Sequence, residues 1–130
     1  MDELWGLIIE DDADLASAFT EVLHFSGLRT ELIQNGSLAL EILANSEPDL
    51  VLLDLHLPEV SGPEILDYIR NDRRLAGTKV VIVTADAVRA KQLEKTADLV
   101  MIKPIRFSDL LSLADRLFPP PQNTPATTGE

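Results

Sequence analysis

An α/β fold around a parallel sheet is what this sequence predicts, and three observations predict it. Short, largely β-branched apolar runs alternate with longer amphipathic stretches five times over. Most of the runs are nearly continuous in apolar residues, as strands covered on both faces by helices must be. Each run is also followed by enough chain for a crossover, so the strands should pair in parallel with right-handed connections.

The first strand is expected over Leu4 to Ile9. It leads through Glu10, Asp11 and Asp12 into a helix from Ala13 to Phe25, with Gly27 placed as its C-terminal cap. The second strand, Arg29 to Ile33, is the least apolar, and Ser37 is positioned to cap a helix ending at Ala44. Leu50 to Leu53 forms the third strand and ends on Asp54. The helix after it runs from Gly62 to Asn71, with Pro63 in the first turn, where a missing N–H costs little. A fourth strand, Lys79 to Val83, stops before Thr84 and precedes a helix from Ala87 to Lys95. The fifth, Leu99 to Ile102, stops before Lys103-Pro104. The last helix, Ser108 to Leu117, is expected to be capped by Ser108 and to bury Leu110, Leu111, Ala114 and Leu117. Residues 1–118 thus make one domain. Residues 119–130 hold four prolines in twelve positions and read as an extended tail or linker.

Composition narrows the function. At 130 residues, 45% hydrophobic and 25% charged, the chain can bury a core of its own and is not of the disordered class. Without cysteine there is no disulfide and no thiolate chemistry. The apolar runs are too short to span a bilayer, and Met1-Asp2-Glu3 lacks the basic start of a secretion signal, so the expected location is the cytoplasm. A formal charge of -11 opposes direct binding to nucleic acid or an anionic membrane and favours a cation as ligand.

In an open parallel sheet the ligand crevice lies outside the carboxyl ends of the strands, where Glu10, Asp11, Asp54 and Thr84 all fall. If the first and third strands are neighbours, three carboxylates converge and cannot all stay ionised without compensation. Oxygen ligands with no cysteine or histidine beside them suit magnesium. Asp54, last in Val51-Leu52-Leu53-Asp54, stands where a nucleophile can be held at its base and reached at its tip. A carboxylate attacking phosphorus forms an acyl phosphate. The equatorial oxygens then need the cation, the Lys103 ammonium, the Thr84 hydroxyl and backbone N–H groups. Lys103 precedes Pro104, a sequence that permits a cis bond in a tight turn.

The motifs Ile8-Ile9-Glu10-Asp11-Asp12, Leu52-Leu53-Asp54 through Gly62, Val81-Ile82-Val83-Thr84-Ala85 and Met101-Ile102-Lys103-Pro104 resemble the receiver domain of two-component response regulators. They agree in order and spacing over about Leu4 to Phe118. The resemblance implies a flavodoxin-like five-stranded sheet in the order 2-1-3-4-5. It also implies phosphorylation of Asp54 by a sensor histidine kinase or a phosphotransfer protein. Magnesium would be held by Asp11, Asp54 and the backbone carbonyl of His56, with Glu10 acting through water, and Thr84 and Lys103 would respond to the phosphoryl group. No turnover on external substrates is implied, only the chain's own phosphorylation and autodephosphorylation. The signal would pass through altered binding to a protein target or to a second copy of the chain.

Singly, these residues have plainer explanations. Acids favour helix starts, and Asp12 is best read as a cap. The His56 ring has no second imidazole with which to share a metal. What the plainer explanations leave out is that Asp11, Asp54, Thr84 and Lys103 share one edge. Two departures stand out from the resemblance: Val100 where receivers carry an aromatic switch residue three positions before the lysine, and Ile105 after the Lys-Pro pair. The segment from Thr84 to Lys103 is short for the family. A receiver fold working independently of phosphorylation is the alternative. It predicts no magnesium-dependent change in Trp5 fluorescence. A phosphatase of the aspartyl-nucleophile type would need an acid two residues beyond Asp54, where His56 stands. His56 and Asp86, two beyond Asp54 and Thr84, are expected to flank the path of attacking water.

Overall fold

The structure is a computed structural model that describes residues 3–118. The tail expected over residues 119–130 lies outside the described residues. Five strands, β1 (Trp5–Ile9), β2 (Arg29–Ile33), β3 (Leu50–Asp54), β4 (Lys79–Thr84) and β5 (Leu99–Ile102), form one parallel sheet in the order β2-β1-β3-β4-β5. Five helices connect and follow them: α1 (Ala13–Phe25), α2 (Gly36–Ala44), α3 (Gly62–Asn71), α4 (Ala87–Leu93) and α5 (Phe107–Leu117). A 3-10 turn at Arg73–Leu75, not foreseen from the sequence, joins α3 to β4.

Alternation along the strands divides the core in two. Leu7, Ile9, Val51, Leu53, Val80 and Ile82 pack toward Ala39, Leu43, Ile65 and Ile69 of α2 and α3. Ile8, Leu50, Leu52, Val81 and Val83 pack toward Phe19, Val22 and Leu23 of α1 and Leu110 and Leu113 of α5. Burying both faces removes enough apolar surface from water to account for continuous apolar runs in β1, β3 and β4. β5 departs from the expectation. It is an edge strand with Ile102 49% exposed, because α4 ends at Leu93 rather than Lys95 and buries only Ala90.

The helix limits follow local chemistry. Asp12 Oδ1 accepts from Asp14 N and Leu15 N and caps α1, as expected. Gly27, with φ 94°, lets Leu28 N reach back to Leu23 O at 2.9 Å. The cap of α2 is Asn35, not Ser37: its Oδ1 accepts from Leu38 N at 2.9 Å, so the helix starts at Gly36. Ser61 and Glu64 form a reciprocal capping box that spans Gly62-Pro63. Ser108 does not cap α5, which begins a residue earlier with the Asp109 carboxylate accepting from Arg106 N. Leu110 and Leu113 are its buried residues and Leu111 and Leu117 are half-buried, while the Ala114 side chain lies outside the described ones. Leu113, absent from the expected set, lies three residues after Leu110 on the same helix face.

Candidate functional site

Strand register assembles the site. Ile9 stands opposite Leu53, and Asp54 opposite Val83, so Glu10, Asp54 and Thr84 leave three adjacent strands at one edge of the sheet. Asp54 and Thr84 are each the last residue of their strands, which run one residue further than the apolar pattern indicates. On the far side of β4, Thr84 pairs with Ile102, and Lys103 N donates to Thr84 O at 2.8 Å. The Lys103-Pro104 bond is cis. The lysine ammonium lies 3.6 Å from Glu10 Oε2 and 3.8 Å from Asp54 Oδ2.

The acids differ in exposure. Glu10 and Asp54 are buried, while Asp11 is exposed, yet each offers an oxygen within 4.8 Å of the others. Burial pushes the Glu10 carboxyl up to about 7. The neighbouring Asp54 charge adds to this, and the Asp12 N–H on Oε2 at 3.1 Å and the Lys103 ammonium oppose it. Burial likewise raises Asp54, against the pull of the His56 N–H on Oδ1 at 3.1 Å. Among the described residues, Glu10 Oε1 is the one buried side-chain polar atom with no hydrogen-bond partner. A buried oxygen left without a donor costs free energy that a ligand can recover.

Two loops frame the edge. Residues 55–61 follow Asp54, closed by Gly62 N donating to Leu55 O at 3.2 Å, with Glu59 at φ 71°. Gly62 does more than open α3. A β-carbon there would lie 2.6 Å from Leu55 Cα and 2.7 Å from Asp54 O, so α3 starts in direct contact with the Asp54–Leu55 backbone. In the other loop Asp86 N donates to the buried Thr84 Oγ1 at 3.0 Å. Between the loops is a cleft of about 260 Å³ lined by Leu55, His56, Ser61, Pro63, Asp86 and Arg89.

This edge, with paired buried carboxylates, a lysine and a threonine at four strand ends, is accompanied by a match over most of the chain. A family model described as the response regulator receiver domain fits residues 7–115. The chain belongs to that family. Receiver domains are signalling modules of two-component systems rather than classical enzymes. The receiver is 37% identical over 111 residues to the DNA-binding response regulator MtrA of Mycolicibacterium paratuberculosis, a match covering 82% of this chain and 47% of that protein. It therefore spans about half the length of such curated relatives. The chemotaxis response regulator CheY4 of Vibrio cholerae superposes with a TM-score of 0.80 at 18% identity over 90% of this chain and all of that one. The receiver domain of sensor histidine kinase PA1611 from Pseudomonas aeruginosa, whose structure has a magnesium ion coordinated in its active-site cleft, gives 0.78 at 21% over 89% and 98%.

Not every residue of the sequence reading belongs to the site. Val100 pairs with Ile82 and is half-buried against the apolar cluster that includes Ile82, Leu93 and Ala97, an aliphatic packing position. Trp5 begins β1 at the opposite end of the sheet, roughly 16 Å along the strand from Glu10, with the Arg29 guanidinium 5.1 Å from its ring. Its fluorescence is thus a poor reporter of the acid cluster. Among the described residues no helix is long and apolar enough to cross a membrane.

Proposed function

We propose that Asp54 accepts a phosphoryl group from the phosphohistidine of a kinase or phosphotransfer protein, and that the receiver signals by changed affinity for a protein target. The observation that carries this reading is the buried pair Glu10 and Asp54, with one oxygen partnerless and Lys103 within 3.8 Å. Asp54 Oδ2 is the nucleophile, since Oδ1 already accepts from His56 N. Its lone pair forms the new O–P bond as the P–N bond to the donor imidazole breaks, and the nitrogen keeps that electron pair. The cleft beside His56 and Arg89 offers the donor a path between the two loops.

The residues present fit magnesium: three carboxylate oxygens close together, no sulfur, and an orphaned buried oxygen. Asp11, Asp54 and the His56 carbonyl would hold it, with Glu10 through water. When bound, it supplies positive charge to a phosphoryl oxygen and to the crowded acids. Lys103 moves from its bridging place between the acids to a second phosphoryl oxygen, and Thr84 donates its hydroxyl to the third. Because Val100 cannot report on Thr84 as an aromatic ring would, the change passes through the Thr84–Asp86 contact to the start of α4. The chain's net charge of -11 disfavours direct contact with DNA, so its target is a protein. The cytoplasm is the place where a sensor histidine kinase or phosphotransfer protein would meet it.

Incubation with phosphoramidate and magnesium tests the reading. Phosphate is expected on the parent protein and absent from Asp54→Asn; equal incorporation in both would assign the acceptor elsewhere.

A further inference from the structure

The loop that follows Asp54 rests on a residue that no motif points to. Gly36, buried at the first position of α2, donates its N–H to Pro58 O at 3.4 Å, and the same carbonyl accepts from Val60 N at 3.0 Å. A β-carbon on Gly36 would fall 2.1 Å from Val60 O, 2.8 Å from Val60 Cβ and 2.9 Å from Val60 C. Two of these atoms are backbone, so no side-chain rotation relieves the overlap; the backbone of the loop or of the α2 start has to shift, and the loop is the segment not held in a helix.

The direction of that movement is restricted. At the far end Gly62 is pressed on Leu55 Cα and Asp54 O, and Leu55 N is held by Val83 O at 3.2 Å. Residues 56–61 are left to absorb the displacement. His56 is the first of them, and its N–H supplies the hydrogen bond to Asp54 Oδ1. We propose that Gly36 is a positioning residue of the phosphoacceptor site: the bare backbone at the start of α2 is the seat that places the His56 peptide against Asp54. The part of this inference that concerns magnesium and phosphate rests on the function proposed above.

Gly36→Ala tests it, with Gly77→Ala as the control, because a β-carbon at Gly77 meets nothing within 4 Å. Calorimetric titration with magnesium chloride should show affinity about tenfold or more weaker in Gly36→Ala, the scale of loss when groups that orient metal ligands are disturbed. Gly77→Ala should match the parent. In 15N-labelled protein without metal the His56 amide resonance should shift in Gly36→Ala, while that of Asp86, in the other loop, stays. A role confined to stability would lower the melting temperature and leave both the affinity of the folded protein and the His56 resonance alone, and that result would overturn the proposal. Should Gly36→Ala not fold, Val60→Gly loosens the same seat from the loop side. It should likewise weaken magnesium binding and shift the His56 amide, and parent-like behaviour in both would overturn the inference. A parent protein that binds no magnesium and takes no phosphate would overturn the reading of the site, and the His56 amide would then decide the position of Gly36 by itself.

Discussion

Asp86 ties Thr84 to the start of α4: the Asp86 amide donates to Thr84 Oγ1 at 3.0 Å, and the Asp86 carboxylate accepts from Arg89 N at 3.0 Å. The side chain expected to flank the attacking water is committed to capping a helix. Asp86→Ala should therefore lower stability by about 1 kcal/mol and Asp86→Asn by much less, read from thermal melts. Phosphoryl lifetime should be unchanged in Asp86→Asn, leaving control of the water's path to the exposed His56; a changed lifetime in Asp86→Asn would return Asp86 to the mechanism.

The buried acids set a pH dependence. Glu10 is raised from 4.5 to about 7, so the folded state holds a proton that the unfolded chain has already released. Its stabilising contribution is fully present below pH 4.5 and is lost as pH rises through about 7; Asp54, also raised, acts in the same sense. Melting temperature in EDTA should fall between pH 5 and 8 by a few degrees more in the parent than in Glu10→Gln. Curves that run parallel would mean Glu10 titrates normally.

Neutralising Asp54 removes one of two charges that burial disfavours. Asp54→Asn keeps an oxygen for the His56 N–H and should melt several degrees higher than the parent at pH 8 without metal. Magnesium should then stabilise the parent more than the variant. A variant less stable than the parent in EDTA would show that the Lys103 contact outweighs the crowding.

Away from the site, Arg70 fastens α3 to the opposite edge of the sheet. Its guanidinium donates to Thr96 O at 2.7 Å, Thr78 O at 3.3 Å and Asp98 Oδ2 at 2.9 Å, and that same carboxylate oxygen accepts from Val80 N. Arg70→Ala should cost about 2 kcal/mol in urea unfolding. Lysine cannot offer the same planar fork, so Arg70→Lys should recover less than half. A cost near zero would make Arg70 an ordinary surface charge.

Much of the site was legible along the chain because its groups belong to strand ends. An apolar run that stops at Glu10, Asp54, Thr84 or Lys103 marks both the end of a strand and the chemistry placed there, and parallel pairing brings such ends to one edge. Capping was legible where the side chain and its helix are neighbours, as at Asp12 and Gly27. It misled at Ser37 and Ser108, where another residue one or two positions earlier met the free N–H groups or the helix began sooner.

Order, spacing and chemical type of the residues gathered at this edge were thus determined by the sequence alone, since each depends on contacts within one strand–loop–helix unit. What only the tertiary structure decided are relations between units: the orphaned Glu10 oxygen, the exposure of Ile102 at an edge strand, and Gly36 under Val60. These depend on how closely two segments approach, a distance of a few ångströms set by the packing of the whole sheet and its helices. A glycine gives no hint in one dimension of whether another backbone lies against it.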